Sequence, residues 1–122
     1  MKDLSIIIPI YNEAGNIQML FERLSSVIRE MHVDVEYVFV NDGSRDNSME
    51  LIKGLVGTNP EVRYLDFSRN FGHQIAVAAG LDYCTGNCAV IIDADLQDPP
   101  ELIMELYNKW KHDSSPISSY GY

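Results

Sequence analysis

Strand-like and helix-like segments alternate four times along this chain of 122 residues, and that alternation constrains the fold more than any other feature. Short apolar runs of the kind found in strands buried on both faces occupy residues 4–8, 35–40, 62–67 and 89–92. Each run is followed by a segment in which apolar residues recur with helical spacing or small residues favour close packing. Four β-α units in succession predict an α/β fold, in which helices cover both faces of a parallel sheet.

The ends of the predicted helices carry recognisable capping residues. The first predicted helix, residues 16–31, has a single apolar stripe, and Asp46 or Asn47 is expected to cap the second. The fourth is expected to open near Asp98, which precedes two prolines and can act as a cap.

The regular spacing of apolar residues does not continue past residue 112. We therefore predict one domain over residues 1–112 and a disordered tail over residues 113–122.

The charge balance narrows the range of partners. Eighteen acidic residues against nine basic ones give a formal charge of −9, which argues against nucleic acid and anionic membrane surfaces as main partners. The composition, 46% hydrophobic and 22% charged, is that of a soluble globular protein. No apolar stretch approaches the roughly 18 residues that a membrane-spanning helix needs. We expect the polypeptide as given to be soluble and cytoplasmic.

Polar residues follow each of the four predicted strands. The four polar clusters lie at residues 9–13, 41–46, 68–74 and 93–98. Because ligands bind at the carboxyl ends of the strands in an open parallel sheet, we expect the clusters to form one site at one edge. A receiver-like or phosphatase domain would also place acidic residues there, but it would need a lysine at the same edge, and none follows any of the strands.

Asp93 and Asp95 give the most specific signal among these clusters. Carboxylates at positions i and i+2 of extended chain project to the same side and repel one another unless a cation lies between them. Mg²⁺ or Mn²⁺ binds through one or two carboxylates and completes its shell with phosphate oxygens and water. The chain has no glycine-rich phosphate-binding motif. The sequence therefore predicts a metal and diphosphate site at these two residues, whereas Asp98 is better explained as a helix cap.

The other polar residues at this edge each allow two interpretations. Asp42 lies in an Asn-Asp-Gly-Ser turn, where its carboxylate could bind a base or ribose or simply serve the turn. Glu13 could face the site or favour the dipole of the following helix. Arg69 could pair with a diphosphate or with a carboxylate of the site. His73 is expected to be a hydrogen-bonding residue at a helix start rather than a catalyst.

On these motifs the sequence resembles the family 2 glycosyltransferases of the GT-A fold. Within that family it is most similar to the dolichyl- or undecaprenyl-phosphate sugar transferases, and the resemblance runs from residue 4 to about residue 112. The stretches that carry it are Pro9-Ile10-Tyr11-Asn12-Glu13, Val40-Asn41-Asp42-Gly43-Ser44, Ser68-Arg69-Asn70-Phe71-Gly72-His73-Gln74 and Asp93-Ala94-Asp95-Leu96-Gln97-Asp98-Pro99-Pro100.

The resemblance implies the nucleotide-binding half of a Rossmann-like, three-layer fold with a mostly parallel sheet. It also implies a set of site residues. Those expected to bind the donor are Pro9, Tyr11, Glu13, Asp42, Arg69, Asp93 and Gln97, and those expected to hold Mg²⁺ or Mn²⁺ are Asp93 and Asp95. The carboxylate that activates the acceptor lies, in such enzymes, in a later half, so no catalytic residue is assigned.

The implied activity is transfer of a sugar from a UDP- or GDP-sugar to an acceptor, with polyprenyl phosphate as the expected acceptor. Full-length relatives of this kind are expected at the cytoplasmic face of the membrane. The alternative hypothesis is a truncated fragment that binds nucleotide and metal without turnover. In that case a sheet edge exposed by truncation could pair with a second copy of the chain.

Overall fold

Strands and helices alternate as the sequence predicts in the computed structural model, which describes residues 2–95 and 99–113. Their bounds are β1 Leu4–Ile10, α1 Ala14–Met31, β2 Val35–Asn41, α2 Ser48–Thr58, β3 Val62–Asp66, α3 His73–Tyr83, β4 Cys88–Ile91 and α4 Leu102–Asp113. Three predictions lie outside the described residues: the ligand Gln97, the cap Asp98 and all but the first residue of the tail. Asp113, that first residue, ends α4.

The strands form a parallel sheet in the order β3-β2-β1-β4, which confirms the predicted α/β architecture. The chain adds β2 and β3 on one side of β1 and then returns to place β4 on the other side. The carboxyl ends of β1 and β4 therefore flank the point at which the strand order reverses. In open α/β sheets such a point opens a crevice where ligands bind.

Alternate residues of each strand supply two separate cores. Ile6 and Ile8 of β1 belong to the larger core, to which α1, α2 and α4 contribute, and Phe21 meets Tyr37 there edge to face with ring centroids 5.0 Å apart. Ile7 belongs to the smaller core, which α3 covers through Ala76. Helices thus pack on both faces, and every residue of β1 is buried.

Strand β1 is longer than the sequence predicts, because it continues through Pro9 to Ile10. Pairing with β4 ends at Ile7, whose carbonyl accepts the N–H of Ile92, whereas β2 stays paired with β1 to Ile10. Successive residues of a strand direct their backbone groups to opposite sides, so the nitrogen of Pro9 faces the β4 side beyond the end of that ladder. Its missing N–H therefore costs no sheet hydrogen bond.

Helix α1 is the longest described helix, with 18 residues. Its predicted apolar stripe is buried, and the buried residues are Ile17, Leu20, Phe21, Leu24, Val27 and Ile28. The opposite face is polar, as expected of a helix that packs one side on a sheet. Over the described ranges, no helix combines the length and the apolar character needed to span a membrane.

Gly80 lets α3 approach the sheet closely, and its substitution should destabilise the fold. A Cβ at this position would overlap Cγ2 of Ile7 and lie 3.2 Å from Cγ2 of Val40, both of which are fully buried. We expect Gly80→Ala to lower the free energy of unfolding by about 1–3 kcal/mol, because α3 must move away from a close-packed strand. Urea unfolding followed by circular dichroism measures this change.

Gly54→Ala in α2 is the matched control. A Cβ added at Gly54 meets no atom within 4 Å, so this substitution should raise stability by up to about 1 kcal/mol through helix propensity alone. Equal effects of the two substitutions would show that α3 does not depend on the contact at Gly80.

Candidate functional site

A cleft of about 380 Å³ opens at the carboxyl ends of β1, β2 and β4, where the strand order reverses. We call it the rim cleft. Its lining residues are Pro9, Ile10, Tyr11, Glu13, Asp42, Asn70, Gly72, His73, Asp93, Ala94 and Asp95. The volume lies within the range typical of small-molecule sites, about 300–1,000 Å³. All four polar clusters identified in the sequence contribute residues to this lining.

The rim cleft brings together most of the predicted site residues. Those that line it are Pro9, Tyr11, Glu13, Asp42, Asp93 and Asp95. Arg69 does not belong to the lining: its guanidinium carbon lies 4.4 Å from the ring centroid of Phe71, in a cation–π contact. Phe71 in turn meets Phe67 edge to face. The arginine is therefore placed beside the cleft, on an aromatic pair of the β3–α3 loop.

Asn12 fixes the loop that carries Tyr11 and Glu13. Its φ of 54° is left-handed, a conformation that asparagine adopts more readily than most residues. The side-chain Oδ1 accepts the N–H of Arg45 at 2.7 Å, and the backbone N–H of Asn12 donates to Oγ of Ser44 at 2.9 Å. Asn12 thereby bonds the β1–α1 loop to the β2–α2 loop through both its backbone and its side chain.

Asp46 links the same two loops by accepting hydrogen bonds at the starts of two helices. Its Oδ2 accepts the N–H of Ala14 at the start of α1, and its Oδ1 accepts the N–H and the hydroxyl of Ser48 at the start of α2. The sequence predicted Asp46 or Asn47 as the cap of α2; Asn47 is the N-cap residue, and the side chain of Asp46 makes the hydrogen bonds. Burial by itself would raise the pKa of Asp46, but the hydrogen bonds from Ser48 and Ala14 keep it below its usual value. The carboxylate therefore stays charged while it bonds both helix starts.

Asp42 anchors the loop between β3 and α3. It is buried, its Oδ1 accepts the N–H of Phe71 at 2.7 Å, and its Oδ2 accepts the N–H of Gly72 at 3.1 Å. Gly72 has a φ of 107°, which favours glycine, and it immediately precedes α3. Sequence reasoning offered a ligand or a plain turn residue for Asp42 and missed this loop contact, because its partners lie 29 and 30 residues away.

Gly43 allows the β2–α2 loop to reach the β3–α3 loop. Its φ is 70°, and a Cβ there would overlap the backbone of Arg69 and Asn70. Only glycine combines this conformation with so close a backbone approach. Together with the bonds of Asp42, this contact places the β3–α3 loop against the edge of the cleft.

His73 and Asp93 meet at the cleft from different elements. His73 begins α3, Asp93 follows the end of β4, and the imidazole Nε2 lies 2.9 Å from Oδ1 of the carboxylate. The side chain of His73 is 58% exposed, whereas that of Asp93 is 27% exposed. The predicted helix-start histidine is therefore hydrogen-bonded to a predicted metal ligand.

The residues of the rim cleft fit a metal ion that arrives with a diphosphate. Asp93 and Asp95 both line the cleft and offer carboxylate oxygens, which are suitable ligands for Mg²⁺ or Mn²⁺. Within residues 2–95 and 99–113, no group of three histidine, cysteine or acidic side chains is placed to hold a metal by itself. A cation bound here would complete its shell with phosphate oxygens and water, as Mg²⁺ commonly does.

Known proteins resemble this chain in sequence. A family model described as "Glycosyl transferase family 2" matches residues 5–120. The chain is 52% identical over 107 residues to "Uncharacterized glycosyltransferase YkcC" of Bacillus subtilis (strain 168), covering 88% of this chain and 33% of that protein. It is 40% identical over 108 residues to "Prophage bactoprenol glucosyl transferase homolog" of Escherichia coli (strain K12), covering 88% and 35%. The chain thus spans about a third of the length of these relatives.

A solved structure resembles the fold. The mannosyltransferase PcManGT of Pyrobaculum calidifontis, in complex with GDP-Man and Mn²⁺, superposes with a TM-score of 0.66 at 24% sequence identity. The match covers 80% of this chain and 33% of the mannosyltransferase. The sheet and helices described above are accordingly those of a GT-A fold, as the sequence resemblance implied.

Proposed function

The chain belongs to glycosyl transferase family 2, and we propose that its rim cleft binds the nucleotide-diphosphate sugar that serves as donor in sugar transfer. One observation carries the proposal. Two carboxylates, Asp93 and Asp95, share a cleft with Pro9, Tyr11 and Glu13 at the point where the strand order reverses, and its volume lies within the range of small-molecule sites. The sugar acceptor would approach the anomeric carbon from the open side of the cleft.

In this proposal some residues of the rim cleft bind the nucleoside and others bind the diphosphate. Pro9 and the half-exposed ring of Tyr11 offer an apolar wall against which a base can pack. Asp93 and Asp95 hold Mg²⁺ or Mn²⁺, and the metal, when bound, neutralises the departing diphosphate. Asp42 remains a predicted ligand of the base or ribose, and both of its carboxylate oxygens already accept backbone N–H groups. Arg69 and Gln97 remain predicted donor ligands.

For the acceptor we propose polyprenyl phosphate. The proposal is supported by the name of the Escherichia coli relative, a bactoprenol glucosyl transferase homolog. Both UDP- and GDP-sugars are proposed donors, and no acceptor-activating residue is assigned. A fragment that binds nucleotide and metal without turnover is the second candidate, and incubation with radiolabelled donor sugars and a short-chain polyprenyl phosphate separates the two. The predicted pairing with a second copy stays a prediction.

Donor binding should depend on the metal. Because two carboxylates alone would repel a diphosphate, UDP or GDP should bind the purified chain tightly only when Mn²⁺ or Mg²⁺ is present. Linkage requires that the nucleotide tighten metal binding by the same factor, and such coupling is typically about 5–150-fold. Isothermal titration calorimetry measures both affinities.

UMP and GMP provide the control, since each keeps the nucleoside but lacks the second phosphate. Their affinity should respond little to the metal. Diphosphate affinity that is equally high in excess chelator would contradict a metal-assisted donor site.

A further inference from the structure

His73 reaches across the rim cleft to one of the two carboxylates assigned to the metal. Its Nε2 lies 2.9 Å from Oδ1 of Asp93, and the contact joins the first turn of α3 to the segment after β4. We propose that His73 is a positioning residue, which fixes Oδ1 of Asp93 so that the other carboxylate oxygen is directed to the metal. The inference rests on the proposed donor site.

The base of the His73 side chain is firmly placed although its ring is exposed. The residue before it, Gly72, donates its N–H to the buried carboxylate of Asp42, and the carbonyl of Gly72 accepts the N–H of Ala76 to open α3. Ala76 is itself fully buried. The imidazole therefore extends from a backbone segment that is bonded on one side to Asp42, just after β2, and packed on the other against the sheet.

Asp93 lies just beyond the part of β4 that is paired in the sheet. The backbone ladder of β4 ends with the bond from Ile92 N–H to the carbonyl of Ile7, so Asp93 is the first residue beyond it. A partly exposed aspartate at such a position can occupy several rotamers, and a hydrogen bond to one oxygen selects among them. Outer-shell partners of this kind orient a metal-binding side chain, and their loss typically costs 10–100-fold in metal affinity.

The inference can be tested at the level of metal binding, independently of turnover. Mn²⁺ affinity is measured by electron paramagnetic resonance of the free ion, with the chain saturated by UDP or GDP at one fixed pH. His73→Ala should weaken Mn²⁺ binding by about 10–100-fold. His73→Gln should restore most of the loss, because its amide nitrogen can donate from nearly the same distance as Nε2.

His112→Ala is the matched control, since it removes an exposed imidazole from α4 outside the cleft. Unchanged Mn²⁺ affinity in His73→Ala would overturn the inference. So would a glutamine variant that binds Mn²⁺ as weakly as the alanine variant, since a hydrogen bond to Asp93 would then not be what His73 contributes. If the unmodified chain shows no metal-dependent nucleotide binding, the proposed function itself fails.

Discussion

Replacing either carboxylate of the Asp93 and Asp95 pair should lower nucleotide affinity in Mn²⁺ towards the value measured in chelator. Asp95→Ala and Asp93→Ala each leave one carboxylate in the rim cleft, and one carboxylate with phosphate oxygens holds a divalent cation less well than two. Asp95→Asn and Asp93→Asn test the charge itself, because asparagine keeps the size and hydrogen-bonding oxygen of the side chain. The measurement is calorimetric titration with UDP or GDP, with and without Mn²⁺.

Asp82→Ala is the matched control, because it removes an exposed aspartate near the far end of α3. Its metal-dependent affinity should equal that of the unmodified chain. If Asp95→Ala also keeps the full metal effect, Asp95 does not hold the metal and the assignment of this pair is wrong.

Glu36→Ala should cause the largest loss of stability among the substitutions considered. Glu36 is 1% exposed at the amino end of β2, opposite to the rim cleft. Its Oε1 accepts Arg63 Nη1 at 2.7 Å, and its Oε2 accepts the hydroxyl of Ser5 at 2.6 Å and both the N–H and the hydroxyl of Thr85. The Arg63 side chain is 34% exposed and can still reach water, but Ser5 is fully buried, and a buried donor left without its acceptor costs about 1–3 kcal/mol in addition to the lost bonds from Arg63 and Thr85. Urea unfolding measures the loss.

The same carboxylate predicts how stability depends on pH. Burial alone would raise the pKa of Glu36, but hydrogen bonds from Ser5, Thr85 and Arg63 together hold it below the ordinary value of 4.5. Because the pKa is lowered by folding, the stabilisation is fully present above that ordinary value and is lost as the pH falls below it towards the folded-state pKa. Unfolding at a series of acidic pH values should show this decline.

Two variants distinguish the contribution of Glu36 to this pH dependence from that of the other acidic residues. Glu36→Gln keeps the shape but cannot ionise, so its stability at neutral pH should be lower and its decline in acid correspondingly smaller. Glu22→Ala removes an exposed carboxylate from α1 and should change stability by less than about 0.5 kcal/mol. If the glutamine variant loses stability in acid as steeply as the unmodified chain, the pH dependence does not come from Glu36.

Local sequence determined the elements and the chemical character of the site. Periodicity over a few residues predicts four strands and four helices, since a buried strand and an amphipathic helix each need a distinct apolar pattern. The rule that parallel strands end at one edge then predicts a shared site for residues as distant as Tyr11 and Asp93. The acidic pair, which lies two positions apart, is itself a local signal for a divalent cation. These features needed no knowledge of which strands are neighbours.

Tertiary structure alone decided which side chain bonds to which. Asp42 fixes a loop 29 residues away, Asp46 accepts the N–H of Ala14 from 32 residues away, and His73 bonds Asp93 from 20 residues away. Pro9 stays within β1 because pairing with β4 ends at Ile7, which depends on the register of another strand. The position of a carboxylate or imidazole in the sequence does not reveal its hydrogen-bond partner. The partner is set by strand order and loop placement, which arise only when the separate apolar patterns are buried together.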